Sequence, residues 1–311
     1  MSIHIYSHAS ARAHDPGAGH PEAPVRIEAI EAALAEAQLP GLVRLEAPEA
    51  DREQLERAHP ARYVDHVLGH VPVSGHARFD ADTVMSPASG EAVLRAAGGA
   101  CAAVDAVMEK KTKRAFSLMR PPGHHAEPEQ AMGFCFFNSI AIAALRARAV
   151  HGVRRIAIFD FDVHHGNGTQ AIFFDDPDTL YLSTHQMPLY PGTGARTETG
   201  SRGTIVNRPC RPGTGSADWR RIVEDGILPR IDAFEPGLVL LSAGFDAHAL
   251  DPLAQMELVE EDFRWIAERA VELAERHAEG AVVSVLEGGY HPPALGRSVV
   301  AHLRGLGRAA A

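Results

Sequence analysis

Residues 156–168 read Ile156-Ala157-Ile158-Phe159-Asp160-Phe161-Asp162-Val163-His164-His165-Gly166-Asn167-Gly168. Four consecutive apolar residues run into acids, histidines and glycines. A strand with one wet face alternates apolar and polar positions. Ile156 to Phe159 does not alternate, so both of its faces are covered. Working outward, short apolar runs of the same kind recur at Ala115–Met119, Leu180–Ser183, Leu238–Leu241 and Val282–Leu286. Between them lie helix-length stretches with one apolar stripe. From Glu261 to His277, the residues Phe263, Ile266, Ala267, Ala270, Val271 and Ala274 recur at three- and four-residue steps, which lines one side of a helix. Ile27, Ile30, Leu34 and Ala37 repeat the pattern after Pro24, a residue suited to a first helical turn. Buried strands alternating with amphipathic helices predict an α/β fold, with a largely parallel central sheet and helices on both faces.

The 311 residues contain no internal repeat, no low-complexity linker and no break in composition. The economical expectation is one domain over residues 1–311. Hydrophobic residues make up 45% and charged residues 23%, the balance of a globular protein. No apolar run approaches the roughly 20 residues of a membrane helix, and no membrane partner is expected. Met1-Ser2-Ile3-His4-Ile5-Tyr6 reads as a first strand and lacks the basic and apolar regions of a signal peptide. Cys101, Cys135 and Cys210 are odd in number and widely spaced. That argues against a disulfide framework and for a cytoplasmic location. The net charge of −10 comes with no run of like charges long enough to suggest a nucleic-acid arm, so direct nucleic-acid binding is not expected.

Ligands of such sheets bind beyond the carboxyl ends of the strands. Four predicted ends carry reactive groups: Gly123-His124-His125 after Met119, Asp160 to Gly168 after Phe159, Gly244-Phe245-Asp246 after Leu241, and Glu287-Gly288-Gly289-Tyr290 after Leu286. Asp160, Asp162 and His164 alternate with apolar residues and project to one side of an extended chain. With Asp246 from another strand end, they offer the carboxylate and imidazole ligands that suit catalytic zinc, with Fe(II) also tolerated. Taken singly, an Asp after a strand ordinarily caps a loop or helix. Four strand ends meeting at one edge carry the metal reading. His124 and His125 titrate near neutrality and can act as base and proton donor at a water, with Asp160 and Asn167 as candidates to orient them. Tyr290 follows two glycines that let the backbone approach a ligand, and its phenol can bond to a carbonyl oxygen as charge develops there. On its own it reads equally well as a core tyrosine. Among Phe134, Phe136 and Phe137, some belong to the core and one can line an apolar channel.

Arg120–Ala144, Phe159–Gln170, Leu238–Leu253 and Leu286–Tyr290, with Gly19–Ile30 before them, resemble the class II histone deacetylases and their bacterial relatives. The motifs are long, stand in the family's order and cover nearly the whole chain. The resemblance implies the arginase-like α/β fold and hydrolysis of the amide of an acylated amine. It implies zinc on Asp162, His164 and Asp246, tandem catalytic histidines at His124 and His125, orienting partners at Asp160 and Asn167, and a catalytic Tyr290. Asn167 in place of an Asp is a class II feature. Gly133 and Phe134 would line the substrate tunnel, and Leu253 stands where one polyamine-specific gatekeeper acid would be. The family also implies a structural potassium ion, served by side chains of Asp160 and Ser183, and places Arg26 behind the site on an internal channel.

One segment departs from the family. The loop Thr184–Pro191 is short, which leaves the second tunnel wall to Met187 or Tyr190. With an apolar Leu253, the expected substrate is acyl-lysine in proteins or peptides. Acetylated polyamines are the alternative, with Glu22, Asp80 or Asp82 as acids that would serve them from the rim. A dimetal ureohydrolase on the related fold suits a neutral Asn167 and a Gly-Gly-Tyr segment poorly. A non-enzymatic acyl-lysine binder is disfavoured because no ligand or catalytic position is missing.

Overall fold

The structure is a computed structural model and describes residues 2–308. Met1, read above with the first strand, and residues 309–311 of the expected domain lie outside the described residues. Among the described residues ten strands follow in chain order: β1 (Ile3–Ser7), β2 (Leu42–Glu46), β3 (Ala77–Arg78), β4 (Val84–Met85), β5 (Arg114–Ser117), β6 (Ile156–Asp160), β7 (Thr179–Gln186), β8 (Ile205–Cys210), β9 (Leu238–Ala243) and β10 (Val282–Leu286). Strands β3 and β4 form a small antiparallel hairpin. The other eight make one parallel sheet in the order β2-β1-β5-β10-β9-β6-β7-β8.

The apolar runs became the inner strands because both faces are covered. Adjacent residues on β5 show this directly. The Phe116 ring lies 6.0 Å from that of His302 on the helix Pro292–Leu306. Ser117, pointing the other way, meets the helix Ser89–Met108 at Gly99, where an added Cβ would stand 3.1 Å from the Ser117 hydroxyl. Phe116, Phe159 and Phe263 are fully buried, each stabilising the fold by roughly 2 kcal/mol relative to exposure. The predicted stripe on residues 261–277 faces the core within the helix Glu260–His277, and Ile27, Ile30 and Leu34 do the same within Val25–Ala37.

Besides the short hairpin strands β3 and β4, two strands escaped the sequence pattern, and they are the two edges of the large sheet. Leu42–Glu46 is half-exposed or exposed throughout, and Ile205–Cys210 includes Asn207, Arg208 and Pro209. Edge strands face water along one side and so tolerate polar residues and proline. The predicted strand at 115–119 also ends early, at Ser117.

The order of the inner strands positions the site. The four ends expected to carry chemistry belong to β5, β10, β9 and β6, which are consecutive neighbours at the middle of the sheet. Register then places Asp160 beside Ser242 on one side and Ser183 on the other.

Candidate metal centre and active site

Strand β6 ends at Asp160, and the chain bends through residues 161–164. The expected alternation therefore does not hold Asp160 with the other two. Asp162 and His164 turn toward Asp246, which follows β9, and a ligand atom from each lies within 4.8 Å of the others. His164 Nδ1 stands 3.1 Å from Asp162 Oδ1 and 3.1 Å from Asp246 Oδ2. The outer oxygens are held away by the backbone: Gly288 N donates to Asp162 Oδ2 at 2.8 Å, and Val163 N donates to Asp246 Oδ1 at 2.8 Å. Gly288 has to be glycine for this approach, since a Cβ there would overlap both carboxylates.

Both acids are completely buried and His164 is 8% exposed. Burial raises the Asp246 carboxyl above its ordinary range, and the charge of Asp162 raises it further. Two buried acids that share one imidazole form a cluster short of positive charge, which a divalent cation supplies. One nitrogen and two carboxylate oxygens are also a chemically sound donor set for such an ion.

The tandem histidines come from the loop after β5, with ring centroids 4.0 Å apart. His124 Nδ1 lies 3.0 Å from Asp160 Oδ2, which also accepts from the Tyr181 hydroxyl at 3.2 Å. His125 Nδ1 lies 2.8 Å from Asn167 Oδ1, and Asn167 Nδ2 donates to Glu127 Oε1 at 2.8 Å. A charged partner and a neutral partner pull the two rings apart. Burial opposes protonation of His124, yet the charges of Asp160, Asp162 and Glu287 hold its pKa well above the ordinary value. Burial pushes His125 well below it, and the charge on His124 adds to that effect.

His125 reaches an open slot of about 410 Å³ and His124 does not; the slot is also lined by His164, Tyr290, Gly133, Phe134, Leu189, Tyr190 and Leu253. Tyr190 forms the second wall, its ring 5.2 Å from that of His125. Of the two candidates, Met187 instead ties its backbone to Cys210 outside the slot lining. Phe134 stands edge-on to Tyr290 at 5.8 Å and to His20 at 4.8 Å. The left-handed backbone at Gly133 (φ 55°) is what brings that loop against His125, where any Cβ would crowd the imidazole. Burial holds the Tyr290 phenol well above its ordinary pKa, which keeps it a hydrogen-bond donor.

The rim corrects one expectation and supports another. Glu22 is fully buried, paired with Arg120 and Arg26, and cannot serve the rim. Asp82 does line the slot, beside His20, Pro21 and Ala81. Asp80 is half-buried and is not part of the slot lining, its Oδ1 accepting from the amides of Asp82 and Thr83 in its own turn. Arg26 lies behind Tyr290 with its guanidinium 4.9 Å from the ring centre, and it donates to the Gly289 carbonyl at 2.7 Å.

Two buried carboxylates were not singled out from the sequence. Asp251 accepts from Leu253 N (3.0 Å) and Tyr290 N (2.7 Å), and Glu287 accepts from Gly123 N and His124 N. Both stand inside segments quoted for other residues, and acids within apolar motifs at strand ends were the available signal.

The histone deacetylase domain profile matches residues 20–306. The chain belongs to the histone deacetylase family. It is 41% identical over 297 residues to a histone deacetylase-like amidohydrolase of Pseudomonas aeruginosa, covering 93% of this chain and 78% of that protein. Histone deacetylase 14, chloroplastic, of Arabidopsis thaliana is 38% identical over 322 residues, covering 97% and 76%. The crystal structure of the HDA15 HD domain superposes with a TM-score of 0.93 at 35% identity, covering 98% of this chain and 88% of that one. Membership makes this protein a deacetylase, a hydrolase acting on the amide of acylated amines. Among the described residues, no helix is long and apolar enough to cross a membrane.

Proposed function

We propose that this chain, acting as one catalytic unit over residues 1–311, is a zinc-dependent deacylase of acyl-lysine in proteins or peptides. One observation supports the reading above the rest. The Asp162–His164–Asp246 cluster, His125 and Tyr290 meet at the foot of a slot whose upper walls are apolar. Zinc on those three residues would supply Lewis acidity at the acyl carbonyl and at an attacking water; Fe(II) suits the same donors. Tyr290 donates a hydrogen bond to the carbonyl oxygen as it gains negative charge. His125, fixed at Nδ1 by Asn167, presents Nε2 to the slot and takes the proton of the attacking water. A carbon–oxygen bond forms, the carbon–nitrogen bond breaks, and a protonated histidine returns the proton to the leaving amine. His124, paired with Asp160 and outside the slot, holds positive charge beside the reacting centre.

The potassium ion implied by the family would sit near Asp160 and Ser183, which are register partners. The buried free cysteines fit a reducing cytoplasm, and the chain is taken to act without direct nucleic-acid contact. Leu253 on the slot favours acyl-lysine, since an apolar side chain offers nothing to a second ammonium group. Asp82 at the rim favours the second reading, acetylated polyamines. Comparing kcat/KM for an acetyl-lysine peptide and N8-acetylspermidine, with metal analysis of the same preparation, tests both. Acyl-lysine is expected to lead, with one zinc per chain. A clear lead for the polyamine, abolished by Asp82→Asn, would overturn the substrate assignment. Two Mn(II) per chain would overturn the metal.

A further inference from the structure

Glu287 is the first residue beyond β10 and is fully buried. Its Oε2 accepts from two successive backbone amides, Gly123 N at 2.7 Å and His124 N at 3.1 Å. Its Oε1 has no hydrogen-bond partner among the described residues. Burying a carboxylate away from water is costly. A neighbour that needs its acceptor oxygen is the reason to keep one here. The loop after β5 is that neighbour. On its other side Gly123 is pressed against the start of the helix Ser139–His151, where an added Cβ would stand 2.7 Å from Ser139 N and 2.8 Å from the Phe137 carbonyl. His124 is therefore gripped twice, by Glu287 at its backbone and by Asp160 at its ring.

We propose that Glu287 is a positioning residue: bridging the amides of Gly123 and His124, it fixes the tandem histidines relative to the metal-ligand cluster. The inference rests on the catalytic reading of those histidines given above. It does not depend on ionisation. Burial raises the Glu287 carboxyl to about 7, against the opposing pull of His124, and Oε2 accepts from both amides in either state. Bonds from backbone amides to a buried carboxyl are strong. Their loss leaves two buried N–H groups without an acceptor, and the loop then finds other positions.

The test compares Glu287→Gln, which keeps an acceptor oxygen at the same reach, with Glu287→Met, which has similar length and none. In the metal-loaded enzyme, Glu287→Met should lower kcat about 10- to 100-fold while KM and metal content stay near the parent values. Glu287→Gln should recover most of that loss. Equal losses in both variants, or a Met variant with parental kcat, would overturn the proposal. If Glu287→Met does not fold, hydrogen exchange of the parent enzyme decides: the Gly123 and His124 amides should exchange as slowly as those of β5 and β10. Fast exchange at these two amides would overturn it. A His125→Ala control separates the two readings. If that variant keeps its rate, the catalytic assignment itself fails; if it loses the rate while Glu287→Met does not, only the positioning inference fails.

Discussion

The floor of the slot and its walls are built on different principles. The floor is His164 and His125, backed by Asp162, Asp246 and His124, all carried at the ends of adjacent inner strands and almost wholly buried. Each side chain there is held by a backbone amide or a second side chain. The walls are Phe134, Leu189, Tyr190 and Leu253, carried on three loops, with Tyr190 40% exposed. Sheet register fixes the floor, while loop length and turn geometry fix the walls. The difference teaches that chemistry and selectivity are separable here, and substitutions should show it.

The largest effect is expected on the floor. Asp162→Ala or Asp246→Ala removes one of the three proposed ligands, and both bound metal and hydrolysis should fall to background. Full zinc occupancy in either variant, measured by metal analysis, would break the comparison at its base. Tyr290→Phe comes next. The fold and the metal stay, and kcat on an unactivated acetyl-lysine substrate drops about a hundredfold or more; a loss of only a few-fold would remove the phenol from the mechanism. On the wall, Tyr190→Ala loses aromatic packing worth about 1 kcal/mol, roughly a fivefold rise in KM with kcat little changed. A collapse of kcat instead would mean that the wall also sets the chemistry.

The smallest effect concerns what lies under the floor. His302 is buried against Phe161 and Phe245, and burial lowers its pKa to about 4. In the unfolded chain the value is about 6.5. Between about pH 6.5 and pH 4 the unfolded state therefore binds a proton that the folded state refuses, and this residue's contribution to stability falls as pH drops through that window. His302→Gln should flatten that part of the pH dependence, so that its urea midpoint and the parent's converge from pH 7 to pH 5. Parallel curves would show that His302 is not held neutral.

The same contrast explains what could be read from residues alone. Ile156–Phe159 and Val282–Leu286 announce themselves because a strand covered on both faces has no polar position to hide its pattern. Of the edges, Leu42–Glu46 has a wet side, and Ile205–Cys210 breaks its apolar run with Asn207, Arg208 and Pro209, so neither carries such a signal. In the site, His124, His125, Asp162, His164 and Asp246 stood in motifs with chemistry of their own. Asp160 was expected both on one side with Asp162 and His164 and as a partner for one of the histidines; the bend after β6 turns the other two toward Asp246 and leaves Asp160 on His124. The choice between Met187 and Tyr190 turned on the path of a loop, which no periodicity encodes. Glu287 and Asp251 act only on backbone amides, so nothing in their residue type distinguishes them from ordinary loop acids.

Strand β10 enters the sheet between β5 and β9 although it is the last strand in chain order. Before Val282–Leu286 is in place, the sheet exists as two separate pieces, β2-β1-β5 and β9-β6-β7-β8. The tandem histidines hang from the first piece, and Asp162, His164 and Asp246 from the second. Pairings this distant along the chain form late and slowly. On the ribosome, a nascent chain would hold its histidines and its proposed metal ligands on unjoined halves until residues 282–286 had emerged, so activity should arise in one step only after that strand is made.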